Sequence, residues 1–270
     1  MMRERLLSAG VALALLAGCS RGPAPAALPA GIHDLWIRHG TVIDGTGRAR
    51  YTADVLVRDD RITFVGEVQD GAVQAHRVID ATGKLVTPGF VDVHSHGDPL
   101  SQSFNTFLAQ GITTVTLGQD GATAGLEEAG LGPAAHNADL ARWMAQMEAR
   151  GSEVNIAALS GHGTLRVRAG VGRAPVPTPA QLEAMRAQLR EDMRAGAFGL
   201  SLGLEYDPGR YAGLDEQRAL GEVVREYGGV VMSHLRTEDA GRIADAVDEL
   251  LAIDAHVHVA HLKIVAGDDV

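Results

Sequence analysis

From Phe90 onward the chain alternates between two hydrophobic periods. Strand-length apolar runs occupy Phe90–His94, Ile112–Leu117, Val154–Leu159, Phe198–Leu202, Gly229–His234 and Val257–Leu262. Stretches of helical period lie between them, at Ser101–Gln110, Ala138–Arg150, Pro179–Ala195, Asp215–Tyr227 and Glu238–Ile253. The third of these has its own start signal, Thr178 as N-cap ahead of Pro179. Strands separated by helices pair in parallel, so the pattern predicts an α/β fold with a parallel sheet and crossover helices. An open doubly wound sheet and a barrel both satisfy it. Ligand-type residues at the C-terminal ends of several strands favour the barrel, which builds its sites at that face. A (β/α)8 TIM-type barrel takes about 250 residues. Here six strand-like runs fall within the 181 residues from Phe90 to Val270. The expectation is therefore a partial barrel over residues 88–270, truncated after strand 6 at Asp268-Asp269-Val270.

The first of those runs leads into His94-Ser95-His96. Residues two apart on a strand project to one side, so both imidazoles are expected to point together from its C-terminal end. Converging imidazoles are half of a metal site, and zinc is the usual occupant. Further candidates stand at later strand ends: Asp120 in Gly118-Gln119-Asp120-Gly121, His234 closing the fifth run, and His261 in the sixth. Taken alone, Asp120 could be an ordinary turn residue. His256 and His258 have the opposite parity to His261 and read as structural.

Before Phe90 the pattern is all-β. Leu35–Ile43, Asp54–Arg58, Arg61–Val65 and His76–Ile79 alternate or run apolar, with turns at Asp44-Gly45-Thr46-Gly47, Asp59-Asp60 and Asp70-Gly71. Residues 33–87 are expected to form a small β-sandwich half-domain. At the N-terminus, Arg3 and Arg5 precede an apolar run, Ala9–Ala17, too short to span a bilayer. It ends in Leu16-Ala17-Gly18-Cys19, and residues 20–32 carry Pro23, Pro25 and Pro29 in an extended tether. Cys19 is the only cysteine, which rules out an internal disulfide and a cysteine-based zinc cage. A net charge of −10 and only 4% aromatic residues give no basic footprint and no stacking platform, so nucleic acid is excluded as partner.

The stretch Val86–Asp98 resembles the opening strand of the amidohydrolase superfamily of barrel metal hydrolases. Gly40–Gly45 and Ala53–Val57 look like that family's N-terminal sandwich half. Three further segments are similar to the D-aminoacylase (N-acyl-D-amino-acid deacylase) branch: Gly161-His162-Gly163-Thr164-Leu165-Arg166, His234-Leu235-Arg236, and His261-Leu262-Lys263. A fourth, Gly203-Leu204-Glu205-Tyr206-Asp207-Pro208-Gly209, is similar to its "Gly-Leu-x-Tyr-x-Pro-Gly". The resemblance implies one or two Zn2+ ions held by His94, His96, Asp120, His234 and His261, with Asp120 standing where the branch has cysteine. It implies hydrolysis of the linear amide of small N-acyl-D-amino acids. Tyr206 is then placed on the oxyanion and Lys263 on the substrate α-carboxylate. His162 is expected beside the substrate, shaping its loop, and Arg236 is either a substrate contact or a solvated rim charge. The family's general base is an aspartate ending an eighth strand, which this chain is expected to lack, leaving an isolated product inactive and poorly folded. A dipeptidase or cyclic amidase of the same superfamily, and an inert lipid-tethered fragment, are the alternatives. Residues 1–19 resemble a bacterial lipoprotein signal. That implies lipidation at Cys19 and anchoring to the cell envelope on its periplasmic side, at the outer membrane because Ser20 follows the cysteine.

Overall fold

The computed structural model describes residues 27–126 and 139–265, in two compact units that divide between Pro88 and Gly89. The signal segment, Cys19, the start of the tether, His136 and Asp268-Asp269-Val270 lie outside the described residues. Among the described residues no helix is long and apolar enough to cross a membrane.

The first unit is a sheet of β1 (Ile32–Val42), β2 (Tyr51–Arg58), β3 (Arg61–Gly66), β4 (Gln74–Asp80) and β5 (Leu85–Val86). Its order is β3-β2-β1-β4, with β5 also pairing in parallel with β1. A bulge between Ile37 and Gly40 is fastened by the buried Asp54 carboxylate, which accepts from Trp36 Nε1 at 3.0 Å and the His39 N–H at 2.7 Å. Two small apolar clusters, Trp36 with Leu56 and Val68 and Val42 with Ala53 and Val55, form its core. β5 has only two residues, too few to register as an alternating pattern.

The second unit runs β6 (Phe90–Asp92), α1 (Asn105–Ala109), β7 (Ile112–Leu117), α2 (Leu140–Arg150), β8 (Asn155–Gly161), α3 (His162–Arg168) and α4 (Pro179–Ala195). It continues through β9 (Gly199–Gly203), α5 (Leu214–Glu226), β10 (Val230–His234), α6 (Ile243–Leu251) and β11 (Val257–Val259). Every ladder is parallel, and the spatial order β6 to β11 repeats the chain order without reversal. A doubly wound sheet reverses at a switch point. A monotonic order does not, so the sheet is the curled six-stranded portion of a (β/α)8 barrel. Leu117, Leu200, Leu202, Met185, Leu189 and Leu220 lie at its core, packed between sheet and helices.

α4 follows its sequence signals throughout. Thr178 and Gln181 make a reciprocal capping box, Pro179 opens the first turn, and Gly196 ends the helix at φ 110°. Elsewhere the boundaries move. The β6 ladder stops at Asp92, short of the histidines. β11 stops at Val259, so His261 lies beyond it. Helix α6 starts at Ile243 rather than Glu238, and His162–Arg168 forms helix α3 where a loop was expected. α3 is buried around most of its circumference, with polar His162, Thr164 and Arg166 buried beside Leu165, so no apolar stripe announces it.

Candidate metal centre

Strand ends in a parallel barrel open onto one rim, and five of the predicted ligands meet there. His94 and His96 lie past the end of β6, yet the segment stays on the sheet because Ser95 N–H bonds Thr116 O of β7 at 3.1 Å. The two Nε2 atoms are 3.3 Å apart, with the rings edge to face at 81°. Their convergence comes from this continued pairing and from Asp92, whose carboxylate accepts the His94 N–H at 3.1 Å.

Asp120 rides on a tight turn after β7, at φ 54°, a left-handed conformation that aspartate tolerates better than most residues. That turn is seated on backbone with no room for side chains. A Cβ on Gly203 would lie 2.0 Å from Asp120 O, and one on Gly161 would lie 2.2 Å from Ala122 C. Gly121 N–H donates to Ser201 Oγ at 3.2 Å, which fixes the turn over β9. From there Asp120 Oδ2 lies 3.5 Å from His96 Nε2, and Oδ1 lies 3.9 Å from His94 Nε2 and 3.8 Å from His234 Nδ1. His234 Nδ1 in turn faces His261 Nε2 at 3.0 Å.

These separations test whether the residues suit a metal. Donors bound tetrahedrally at about 2.0–2.1 Å sit roughly 3.3 Å from one another. The observed spacings bracket that value. Asp120 Oδ1 is buried without a hydrogen-bond partner, an unfavourable state for a carboxylate oxygen unless a cation compensates it. Burial, with His96 and His261 adding to it, holds the His94 imidazole below its ordinary pKa despite the nearby Asp120 carboxylate. A neutral imidazole is the ligating form. The residues present fit a divalent cation with nitrogen and oxygen ligands.

Glu238 and Glu205, to which the sequence reading gave no role, lie on the outer nitrogens of the same rings. Glu238 is buried, with Oε1 2.8 Å from His261 Nδ1 and 4.0 Å from His234 Nε2. The 2.8 Å approach lacks hydrogen-bond geometry, since neither atom has a hydrogen-bond partner. His234, His261 and Glu238 could also group around an ion. Lys263 Nζ lies 3.4 Å from Glu238 Oε2, however, and its charge opposes a second cation there. The inner set with Asp120 is the better cation site. Glu238 lies four residues after His234 and is followed by Asp239, so on sequence it read as the opening of a helix.

Tyr206 packs against His234 with ring centroids 4.5 Å apart and the planes tilted by 47°. Burial first, then the carboxylates of Asp120, Glu205 and Glu238, raise its hydroxyl pKa, so it remains a hydrogen-bond donor at neutral pH.

For the two expected substrate contacts, Arg236 and His162, the structure shows protein partners. Arg236 is not a freely solvated rim charge. Its guanidinium grips Glu249 of α6 through two 2.7 Å bonds and donates to the Arg210 and Ala212 carbonyls, both at 2.8 Å. His162 is fully buried, with Nε2 2.7 Å from Glu216, which also pairs with fully buried Arg166 at 2.6 Å. Both side chains brace the rim from below it.

A family model described as the amidohydrolase family matches residues 77–263. The chain is 38% identical over 232 residues to the N-acyl-D-glutamate deacylase of Alcaligenes xylosoxydans xylosoxydans, covering 82% of this chain and 47% of that protein. It is 31% identical over 248 residues to the D-aminoacylase of the same organism, covering 86% and 51%. Among solved structures, the N-acyl-D-glutamate deacylase of Bordetella bronchiseptica, complexed with zinc and a phosphonate mimic of the tetrahedral intermediate, superposes with a TM-score of 0.72. It is 36% identical, covering 83% of this chain and 49% of that one. A D-aminoacylase solved in a study of its binuclear metal centre gives a TM-score of 0.75 at 31% identity, covering 86% and 52%. The chain thus spans about half the length of the curated relatives it matches.

Proposed function

The chain belongs to the amidohydrolase family, and from that premise we propose that it supplies the metal-holding part of a hydrolase that deacylates N-acyl-D-amino acids. The observation that carries this reading is the inner donor set, five side chains from four strand ends at ligand-to-ligand spacing around an unpartnered carboxylate oxygen. Its relatives act on N-acyl-D-glutamate and related substrates, which supports the choice of bond.

One or two zinc ions bound at this set would polarise the amide carbonyl and acidify a water. His94, His96, Asp120, His234 and His261 would hold them. Tyr206, kept protonated beside His234, would donate to the carbonyl oxygen as negative charge develops. Lys263, half-exposed beside the cluster, would supply a point cation for the α-carboxylate. The proton shuttle is assigned to no described carboxylate; the resemblance puts it on an eighth-strand aspartate, and the described sheet has six strands.

The test is a substrate panel on the purified protein with its zinc content measured. Release of amine from N-acetyl-D-glutamate or another N-acetyl-D-amino acid, but not the L enantiomers, is expected of the enzyme that includes this chain. Turnover of a cyclic amide or dipeptide alone would replace the deacylase reading. Zinc bound without any turnover would mark the chain as an inert fragment. For the N-terminus we propose lipid attachment at Cys19 and an envelope location; fatty-acid labelling that persists in Cys19→Ala would overturn it.

A further inference from the structure

His234 has two ring nitrogens, and only one can face a given cation. Its Nδ1 points into the donor set, 3.0 Å from His261 Nε2 and 3.8 Å from Asp120 Oδ1. Its Nε2 points away, 2.7 Å from Glu205 Oε2. A carboxylate only accepts, so Nε2 carries the proton and Nδ1 carries the lone pair. The placement of Glu205 is built into the backbone. Leu204, fully buried, donates its N–H to His234 O at 3.2 Å, so the next residue is held alongside the ring. Tyr206 packs against the same imidazole.

We propose that Glu205 is a positioning residue, which fixes His234 as its Nε2–H tautomer and thereby presents Nδ1 to a divalent cation. The inference rests on the metal reading above and adds a residue to it. Glu205 itself is not a ligand, because it lies on the far nitrogen of the ring from the point where the inner donors meet. Ligating histidines are generally held this way, through a carboxylate or carbonyl on the second nitrogen, and losing such a partner costs about 10–100-fold in metal affinity.

Glu205→Ala and Glu205→Gln separate this role from a packing role. The Glu205 side chain is 47% exposed, so neither change removes a core contact. The first readout needs no metal: ring-nitrogen NMR of the metal-free protein, with the His234 signal assigned by His234→Asn. The native protein should show His234 protonated at Nε2, Glu205→Ala should show a mixture of tautomers, and Glu205→Gln should stay close to native because its amide oxygen still accepts. The second is zinc affinity by competition with a chromophoric chelator, expected to fall about 10–100-fold in Glu205→Ala and less in Glu205→Gln. A native tautomer and native zinc affinity in Glu205→Ala would overturn the proposal. A native protein that takes up no zinc would sink the metal reading, while the tautomer measurement still decides the role of Glu205.

Discussion

His234 Nδ1 and His261 Nε2 face one another at 3.0 Å from the ends of neighbouring parallel strands. The parallel ladder between β10 and β11 sets that pairing, matching Ser233 with Val259 one and two residues before the imidazoles. A His261 Nε2–H can donate across that gap to the His234 Nδ1 lone pair, and a cation bound between the rings would take the place of that proton. His261→Asn should therefore lower zinc affinity by more than the ~100-fold that outer partners cost. The melting temperature of the metal-free protein should barely move, since His261 is partly exposed. Zinc competition titration and a metal-free melt check the two halves; unchanged affinity would remove His261 from the ligand set.

Asp120 makes a second prediction, because among the described residues its carboxylate is the one that reaches both halves of the cluster. Asp120→Asn keeps the shape and the left-handed backbone but drops the charge, and zinc affinity should fall at least tenfold. Asp120→Cys should shift preference from zinc toward cadmium, since thiolate is the softer ligand. It should also lower stability by about 1 kcal/mol, because cysteine tolerates φ 54° less well than aspartate. Competition between the two metals and a denaturant melt report these effects.

Below the rim, Glu216 stands between His162 and Arg166, all three buried. Desolvation pushes the Glu216 pKa up, but hydrogen bonding and charge from His162 and Arg166 outweigh it and leave the carboxyl below its ordinary value. A depressed folded value means stability that is present above the unfolded carboxylate pKa and lost as pH falls through the folded one. Glu216→Gln leaves Arg166 buried and unpaired and should cost about 3–5 kcal/mol at neutral pH. Urea melts at pH 7 and in the acid range should show the mutant deficit shrinking as the native carboxyl protonates.

The barrel class and the meeting of the five side chains at one rim were legible because alternating periods and polar residues at strand ends are local patterns. Strand ends were less so: β6 stops at Asp92, and His94 and His96 are held by the Ser95–Thr116 backbone bond, which no sequence period encodes. Strand parity puts Arg236 beside His234, and the carboxylate it pairs with, Glu249, arrives from helix α6 through the tertiary fold. Glu205 and Glu238 were missed for the same reason. Each is an acidic residue on an irregular segment, and only the closure of neighbouring strands brings them against the imidazoles.

Asp192 carries the opposite sign to Glu216. It is buried on α4, accepting from Ser160 Oγ of β8 at 2.6 Å and from Gln188 Nε2 at 3.0 Å. Burial raises its pKa more than these two bonds and the charge of Arg168 lower it. The folded state therefore holds its proton more tightly than the unfolded chain does. Stability from this group is greatest below the unfolded carboxylate value and declines as pH rises through the elevated folded value. An asparagine side chain at this position would be neutral at every pH and could still accept from Ser160. Asp192→Asn should therefore match the native protein in acid and exceed it at neutral pH, by about 1 kcal/mol. Chemical melts across the acid-to-neutral range measure the difference directly. A mutant that is less stable than native at pH 7 would mean that the two hydrogen bonds outweigh the cost of burying the charge.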